Sequence, residues 1–396
     1  MQLRRGLSNT LIAGALGLAG AFFLSAAAAV DHSADALLGK AFDEIENNRL
    51  DQALNHIEAL LRANPNFRLA YLIQGDLLLA RGRALKTFGN APNGPSERLD
   101  GLRAEALARL HAYRDRPAQD QVPRYLMQMR ADQRHAIVVD NKRSRLYLYQ
   151  NENGRPRFVA DYYISTGKGS GQKTREGDEK TPVGVYHVTA SLPRNKLSDF
   201  YGSGAFPISY PNAWDKRHGR NGHGIWLHGT PSDTYSRAPR ASNGCVVLAN
   251  ADLDALSNKL QIGLTPVIIS EQIEWLSLDD WDAERNALNA EIERWRGDWE
   301  SLDTERYLTH YSKKFSADRE NYSDWVRHKR QVNGGKSWIK LSISNFSMFR
   351  NPGKDELVIV TFDQNYRSNN LSNTMKKRQY WTKEGGKWRI IYEGAA

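Results

Sequence analysis

Past residue 30, apolar positions recur at helical spacing. Leu37, Leu38, Phe42 and Ile45 form one such stripe, and Leu54, Ile57, Leu60 and Leu61 form a second. A third helix is predicted over Leu69–Leu79, with Asn64-Pro65 as the turn before it. The stretch Gly89–Pro95 then breaks the pattern, and another helix is predicted over Ser96–Tyr113. After Asp132 the period shortens. Ala136–Asp140 and Arg145–Tyr149 are short β-type runs, a Gly-Arg-Pro turn follows at Gly154, and Phe158–Ser165 continues the alternation. Turn signals and β-branched residues carry this texture to Ile269. From Glu271 the pattern changes again. Leu278–Trp299 reads as a tryptophan-rich amphipathic helix. The segment Tyr307–Phe315 follows, then strands at Trp338–Ser347, Glu356–Tyr366, Lys376–Thr382 and Trp388–Tyr392.

These shifts predict a multidomain chain: an N-terminal α-helical region at 31–130, a central mainly β domain at 132–271, and a C-terminal α+β cone at 278–396. In the first region Ala53, Ile57, Pro65, Tyr71 and Gly75 fit the register of a tetratricopeptide-like hairpin over about one and a half repeats. Such hairpins bind partners or pair with a second copy; the alternative is a helical cap that buries its own face.

The N-terminus adds an address. Arg4 and Arg5 precede the apolar run Leu11–Leu24, and small residues Ser25–Ala29 follow. This is the order of a secretory signal over 1–29, with cleavage near Ala28 or Ala29. The run is short for a membrane span, which needs ~20 residues. A periplasmic protein with no stable membrane span is therefore expected. The net charge of +10 favours anionic partners without choosing one. Export and the lack of a groove-reading motif argue against nucleic acid, and none is expected as a partner.

Export makes the cysteine content informative. Cys245 is the sole cysteine, and an oxidising compartment favours paired cysteines or none. A lone thiol there is either inert and buried or kept for chemistry. Its setting is Ser242-Asn243-Gly244-Cys245. Glycine before the thiol removes bulk and permits unusual backbone angles, and successive amides in such a turn can form an oxyanion hole. A helix capped by Asn250 is predicted over Ala251–Leu260, its N-terminal dipole adding modest support. The base is expected from Gly224-Ile-Trp226-Leu-His228-Gly229-Thr230, where His228 closes an apolar strand. His223 is its competitor, and His218, in a basic loop-like segment, is weaker. A nearby histidine is expected to lower the thiol pKa. Scattered histidines and one cysteine predict no metal site, and no cofactor is expected.

Four stretches give these residues a family context: Ile137–Asp140 with Leu146–Tyr149, Ser165-Thr-Gly167, Thr181–Tyr186, and His228-Gly-Thr230 followed by Ser242–Cys245. In this order they resemble the L,D-transpeptidase catalytic domain, the YkuD-type fold. The resemblance implies a β-sandwich with the cysteine at the end of a cleft. It implies that Cys245 attacks the carbonyl joining an L-centre to a D-amino acid in a peptidoglycan stem peptide. It implies that His228 moves the proton and that the Gly229 carbonyl orients the imidazole. Ser242, Asn243, Gly244, His223 and Trp226 are expected to line the substrate site. Two positions depart from the family: Val247 stands where arginine is common, and Asn243 where histidine or arginine is. These departures bear on the acceptor preference, not on the thiol chemistry. The C-terminal region resembles a nuclear transport factor 2-like domain, from which binding or positioning is expected rather than a second active site. Pairing with a second copy is expected through the helical or C-terminal region.

The expected function is thus a peptidoglycan L,D-transpeptidase acting through an acyl-cysteine, in wall organisation and cell shape. An L,D-carboxypeptidase trimming tetrapeptides to tripeptides with the same residues is the first alternative. It is favoured by a domain order resembling cell-shape enzymes. A non-catalytic wall-binding scaffold is the second.

Overall fold

The computed structural model describes residues 34–396 apart from 86, 318, 319 and 354; the expected signal segment lies outside the described residues. Among the described residues, no helix is long and apolar enough to cross a membrane.

Four helices open the fold, at Ala34–Glu46, Leu50–Ala63, Arg68–Ala80 and Ser96–Arg114. The second buries Ala53, Leu54, Ile57, Leu60 and Leu61, the stripe its periodicity predicts. The first buries Leu37 and Leu38 but leaves Ile45 exposed. Charge then ties these helices to the β domain behind them. Arg109 pairs with Glu105 at 2.9 Å and with Asp35, while Arg145 donates from Nη1 to Asp35 at 2.6 Å and from Nε to Asp161 at 2.8 Å. The Arg109 guanidinium lies 3.9 Å from the centre of the Tyr163 ring. Buried charges survive only when paired in this way.

Hydrogen bonding in the central domain runs continuously through ten strands. The long strand Arg155–Gly167 is the fold line. Its first part pairs with Arg145–Glu152, and its last residues pair with Val246–Leu248. The two halves of the sheet thereby close on each other. Ile137, Val139, Leu146 and Ile164 from one half share a core with Phe206, Leu227, Val246 and Leu248 from the other, joined by Leu253 and Leu256 of the helix Asn250–Ser257. The alternate residues of the same strands, Ala136, Val138 and Tyr147, pack against Phe349, Ile359, Tyr380 and Tyr392 of the C-terminal sheet. Covering on both faces explains why His135–Asp140 is a nearly continuous apolar run rather than an alternating one.

The C-terminal region wraps helices Leu278–Glu300, Thr304–Leu308 and Tyr322–Gly334 against an antiparallel sheet. That sheet holds Ile339–Arg350, Leu357–Ser368, Ser372–Glu384 and Lys387–Ala395. A buried polar cluster lies inside: Glu393 accepts from Lys377 at 2.5 Å, Gln379 at 2.8 Å and Tyr311 at 2.9 Å. No acid–base pair in this region stood out in the sequence.

Two expectations need correction. Residues just before Arg130 are not helical: Gln121–Pro123 pairs with Trp275–Ser277, and Leu126–Gln128 joins the edge of the C-terminal sheet against Met348 and Phe349. Three-residue strands are too short to carry a period. Asn250 is the first residue of its helix, not its cap, and the helix ends at Ser257 rather than Leu260.

Candidate active site

His228 ends the strand Trp226–His228, which lies between Gly204–Pro207 and Val246–Leu248. In that parallel register Val247 stands beside His228, so Cys245 enters from the loop just before the neighbouring strand. Val247 is 2% exposed, a packed position in this sheet.

The imidazole is itself only 1% exposed. Its Nδ1 lies 2.7 Å from the Gly229 carbonyl oxygen. A carbonyl only accepts, so Nδ1 carries the proton and the neutral ring leaves Nε2 with its lone pair. Burial pulls the His228 pKa down to about 4, against the Gly229 hydrogen bond, which raises it. At neutral pH the ring is therefore an uncharged base of fixed tautomer.

The thiol was expected to be acidified; the structure shows the opposite. Burial raises the Cys245 pKa, partly offset by the Trp226 amide and by the charges of Arg237 and Lys173. Its Sγ donates to the Gly224 carbonyl at 3.3 Å, and no hydrogen bond joins it to His228. The resting pair is thiol and imidazole, not thiolate and imidazolium. Catalytic contacts of this kind often tighten only when substrate binds.

The turn before the thiol is built by three separate stretches. Ser242 Oγ donates to the Cys245 carbonyl at 2.6 Å and accepts from the Gly244 amide at 3.1 Å. The Gly244 amide is thus engaged and does not serve an oxyanion hole in this arrangement. Thr181 Oγ1 donates to the Gly244 carbonyl at 3.0 Å and accepts from the Gly167 amide at 2.8 Å. The Ser165-Thr-Gly167 and Thr181-Pro motifs therefore converge on the cysteine turn. Gly244 has φ +124°, and a Cβ there would meet the Lys180 carbonyl oxygen at 2.8 Å, so glycine is required twice over.

The remaining expected residues spread out. Trp226 is half-buried, with its ring 4.9 Å from Tyr201. The Asn243 side chain is exposed and accepts from Lys168 at 3.0 Å. The His223 side chain is 81% exposed and faces Glu176 at 3.5 Å, while the thiol bonds instead to the Gly224 carbonyl. His218 Nδ1 is bonded to the Trp214 carbonyl.

Four further residues shape the site although the sequence assigned none of them to it. Tyr201 and Phe200 place their rings 5.1 and 5.8 Å from the imidazole; an aromatic pair in a glycine-flanked loop was the available signal. Arg237 acts on the thiol from the loop between the two motifs. Asn250 Oδ1 accepts from the Ser203 amide at 2.9 Å and the Thr230 amide at 3.2 Å, while its Nδ2 donates to the Thr230 carbonyl at 2.9 Å. It clamps the turn that carries Gly229.

That clamp leaves no room at Gly229. A Cβ there would lie 2.1 Å from Asn250 Oδ1, 3.1 Å from the Ser203 nitrogen and 3.2 Å from the Tyr201 oxygen. Gly229→Ala should cost roughly 2 kcal/mol of stability by overpacking. It should also lower turnover on the order of 10²-fold, because the carbonyl orienting the imidazole moves. Chemical denaturation and turnover assays read the two effects, and wild-type values for both would refute the clamp.

Comparison with known proteins agrees with this geometry. Residues 134–269 match the L,D-transpeptidase catalytic domain, YkuD, and residues 287–394 match the Cds6 C-terminal NTF2-like domain. The structure of Bdellovibrio bacteriovorus Bd1075 is similar with TM-score 0.61 and 30% identity, covering 70% of this chain and 98% of that one. The chain belongs to the YkuD-type L,D-transpeptidase family. The helical cell shape determining protein Pgp2 from Campylobacter jejuni is similar with TM-score 0.59 and 26% identity, covering 68% of this chain and 95% of that one. Among curated proteins, "Putative L,D-transpeptidase YafK" of Escherichia coli (strain K12) is 35% identical over 124 residues, which is 30% of this chain. This chain spans 44% of the length of that relative. The YkuD domain contributes Cys245, His228 and Gly229 from within the matched span, and the NTF2-like domain supplies the sheet that covers its outer face.

Proposed function

We propose that this protein is a peptidoglycan L,D-transpeptidase that works through an acyl-Cys245 intermediate. The supporting observation is the neutral His228 ring, its tautomer fixed by the Gly229 carbonyl. The Cys245 sulfur attacks the carbonyl carbon linking an L-centre to the terminal D-amino acid. His228 Nε2 takes the thiol proton as the C–S bond forms. The C–N bond then breaks, and the imidazolium returns its proton to the leaving amine. An incoming amine resolves the thioester to a cross-link and frees the thiol. Because the resting thiol is un-ionised, proton transfer accompanies attack rather than preceding it.

A second reading differs only in the acceptor. A domain order resembling cell-shape enzymes, in keeping with the similarity to a helical cell shape determining protein, favours water, hence an L,D-carboxypeptidase that trims tetrapeptides. In either case the protein meets the wall in the periplasm, as the Arg4–Ala29 pattern supports. The NTF2-like cone and the tetratricopeptide-like helices are assigned binding and positioning roles, pairing with a second copy included.

Mass spectrometry of wall tetrapeptides after incubation with the protein tests both readings. Dimers, or exchange of the terminal D-residue, establish the transpeptidase. Tripeptide with released D-alanine establishes the carboxypeptidase. No product from any tetrapeptide leaves the wall-binding scaffold. In addition, a carbapenem, which presents a strained acyl donor, should add its mass to the wild-type chain and not to Cys245→Ala. An unchanged wild-type mass at saturating drug would count against the donor site.

A further inference from the structure

Arg237 lies in the segment between Thr230 and Ser242 and is half-buried. Its guanidinium sits 4.6 Å from the centre of the Phe200 ring, which is itself 5.8 Å from the His228 ring. Among the described residues, that guanidinium makes no hydrogen bond and no ion pair. Burial lowers its pKa while the Cys245 charge raises it. Arg237 therefore stands as a cation acting on both reacting groups. Of the two cations that act on the thiol, Lys173 is already bound to Asp178 at 2.6 Å and to the Arg175 carbonyl at 2.9 Å. A half-buried guanidinium on the ring that flanks the catalytic imidazole, with no acid of its own, is a site for an anion.

The backbone around it is held firmly. The Tyr163 hydroxyl donates to the Arg237 carbonyl at 2.8 Å. Ser236 Oγ donates to Glu105 at 2.6 Å, and Asn66 Nδ2 donates to the Ser232 carbonyl at 2.9 Å. The Phe67 and Tyr235 rings pack at 4.3 Å. The helical region and Tyr163 thus fix the loop, and the Arg237 guanidinium lies on the Phe200 ring beside the imidazole.

We infer that Arg237 receives the free α-carboxylate of the terminal D-residue, the group attached to the amide nitrogen that Cys245 displaces. The inference rests on the reading of the substrate as a stem peptide ending in a D-amino acid, and it holds whether amine or water follows. That carboxylate lies only a few bonds from the attacked carbonyl, so its receptor must stand beside both the thiol and the base. The planar fork of arginine matches a carboxylate bidentately, and the pairing orients the leaving residue before attack.

The test compares two stem tetrapeptides that differ only at the last group: a free D-alanine carboxylate, or its carboxamide. Wild-type kcat/KM should be lower for the carboxamide by roughly 30-fold or more, as expected when one partner of a desolvated, hydrogen-bonded charge pair is lost. Arg237→Ala should lower kcat/KM for the free acid by a similar factor beyond any change on the carboxamide, so that the preference between the two peptides is lost. Arg237→Lys should keep part of the preference, since it keeps charge and loses the fork. Wild-type indifference to amidation overturns the inference without any variant, so it remains exposed even if Arg237→Ala fails to fold. An equal fall on both peptides, with a displaced pH profile, overturns it in favour of an effect on thiol ionisation. Those outcomes leave the L,D-specific reading standing, because turnover persists. A wild-type protein that consumes neither peptide brings down both.

Discussion

Cys245→Ala should reduce tetrapeptide turnover on the order of 10⁴-fold or more, the scale seen when an enzyme loses its nucleophile. No other thiol exists in the chain to replace it. The change should leave the fold intact. The side chain is only partly buried and gives up one weak S–H donation to the Gly224 carbonyl, so stability should move by less than about 1 kcal/mol. Product mass spectrometry over a long incubation, paired with a thermal melt, separates loss of chemistry from loss of structure. Turnover by a well-folded alanine variant would remove the acyl-cysteine from the mechanism.

His228→Gln should reveal two roles at once. Glutamine keeps some hydrogen-bonding capacity but cannot act as the base at neutral pH, so turnover should fall about 10²- to 10⁴-fold. Stability should respond to pH in a specific direction. Burial holds His228 near pKa 4 in the folded state, whereas the unfolded ring titrates near 6.5. Between these values the unfolded chain binds the extra proton. The wild-type protein should therefore lose stability as pH falls from about 6.5 to 4, by roughly 3 kcal/mol from this group. His228→Gln lacks that component, so the gap between variant and wild type should change in favour of the variant as the solution is acidified. Urea titrations across that range measure it, and a pH-independent gap would mean the ring is not held neutral. The acid limb of wild-type activity should fall near pH 4 for the same reason.

The central domain was legible because its strands alternate or run apolar over five or more residues and because its motifs sit in the loops those strands display. His135–Asp140 and Arg145–Glu152 fall where the pattern places them. The strands beside Cys245 and His228 have three residues each, so those two residues were legible from their glycine-flanked motifs rather than from a period, and their protonation was not legible at all. Sequence shows that a thiol and an imidazole exist, while burial, which raises one pKa and lowers the other, depends on chain segments far away. Asn250 illustrates a similar gap. Asparagine before an apolar helix reads as a cap, yet its side chain is taken by Ser203 and Thr230, which no local window contains. Arg237 is one arginine among many in a polar loop, and only Phe200 and the helical region give it a place. The helix Tyr322–Gly334 went unread although its start was visible: Asn321 and Asp324 form a capping box.

The strand Leu126–Gln128 has a consequence for how such a protein could have been assembled. It precedes the YkuD domain in the chain yet completes the sheet of the NTF2-like domain, and the Trp281 indole seals it by donating to the Leu126 carbonyl at 2.8 Å. A cut between the last two domains would therefore strand one rib of the cone on the wrong side and bare Leu126 and Met127 to water. The parts are spliced rather than beaded. Recombination that swapped the terminal domain alone would inherit an open sheet edge, so the segment before the catalytic domain and the domain after it have reason to travel together.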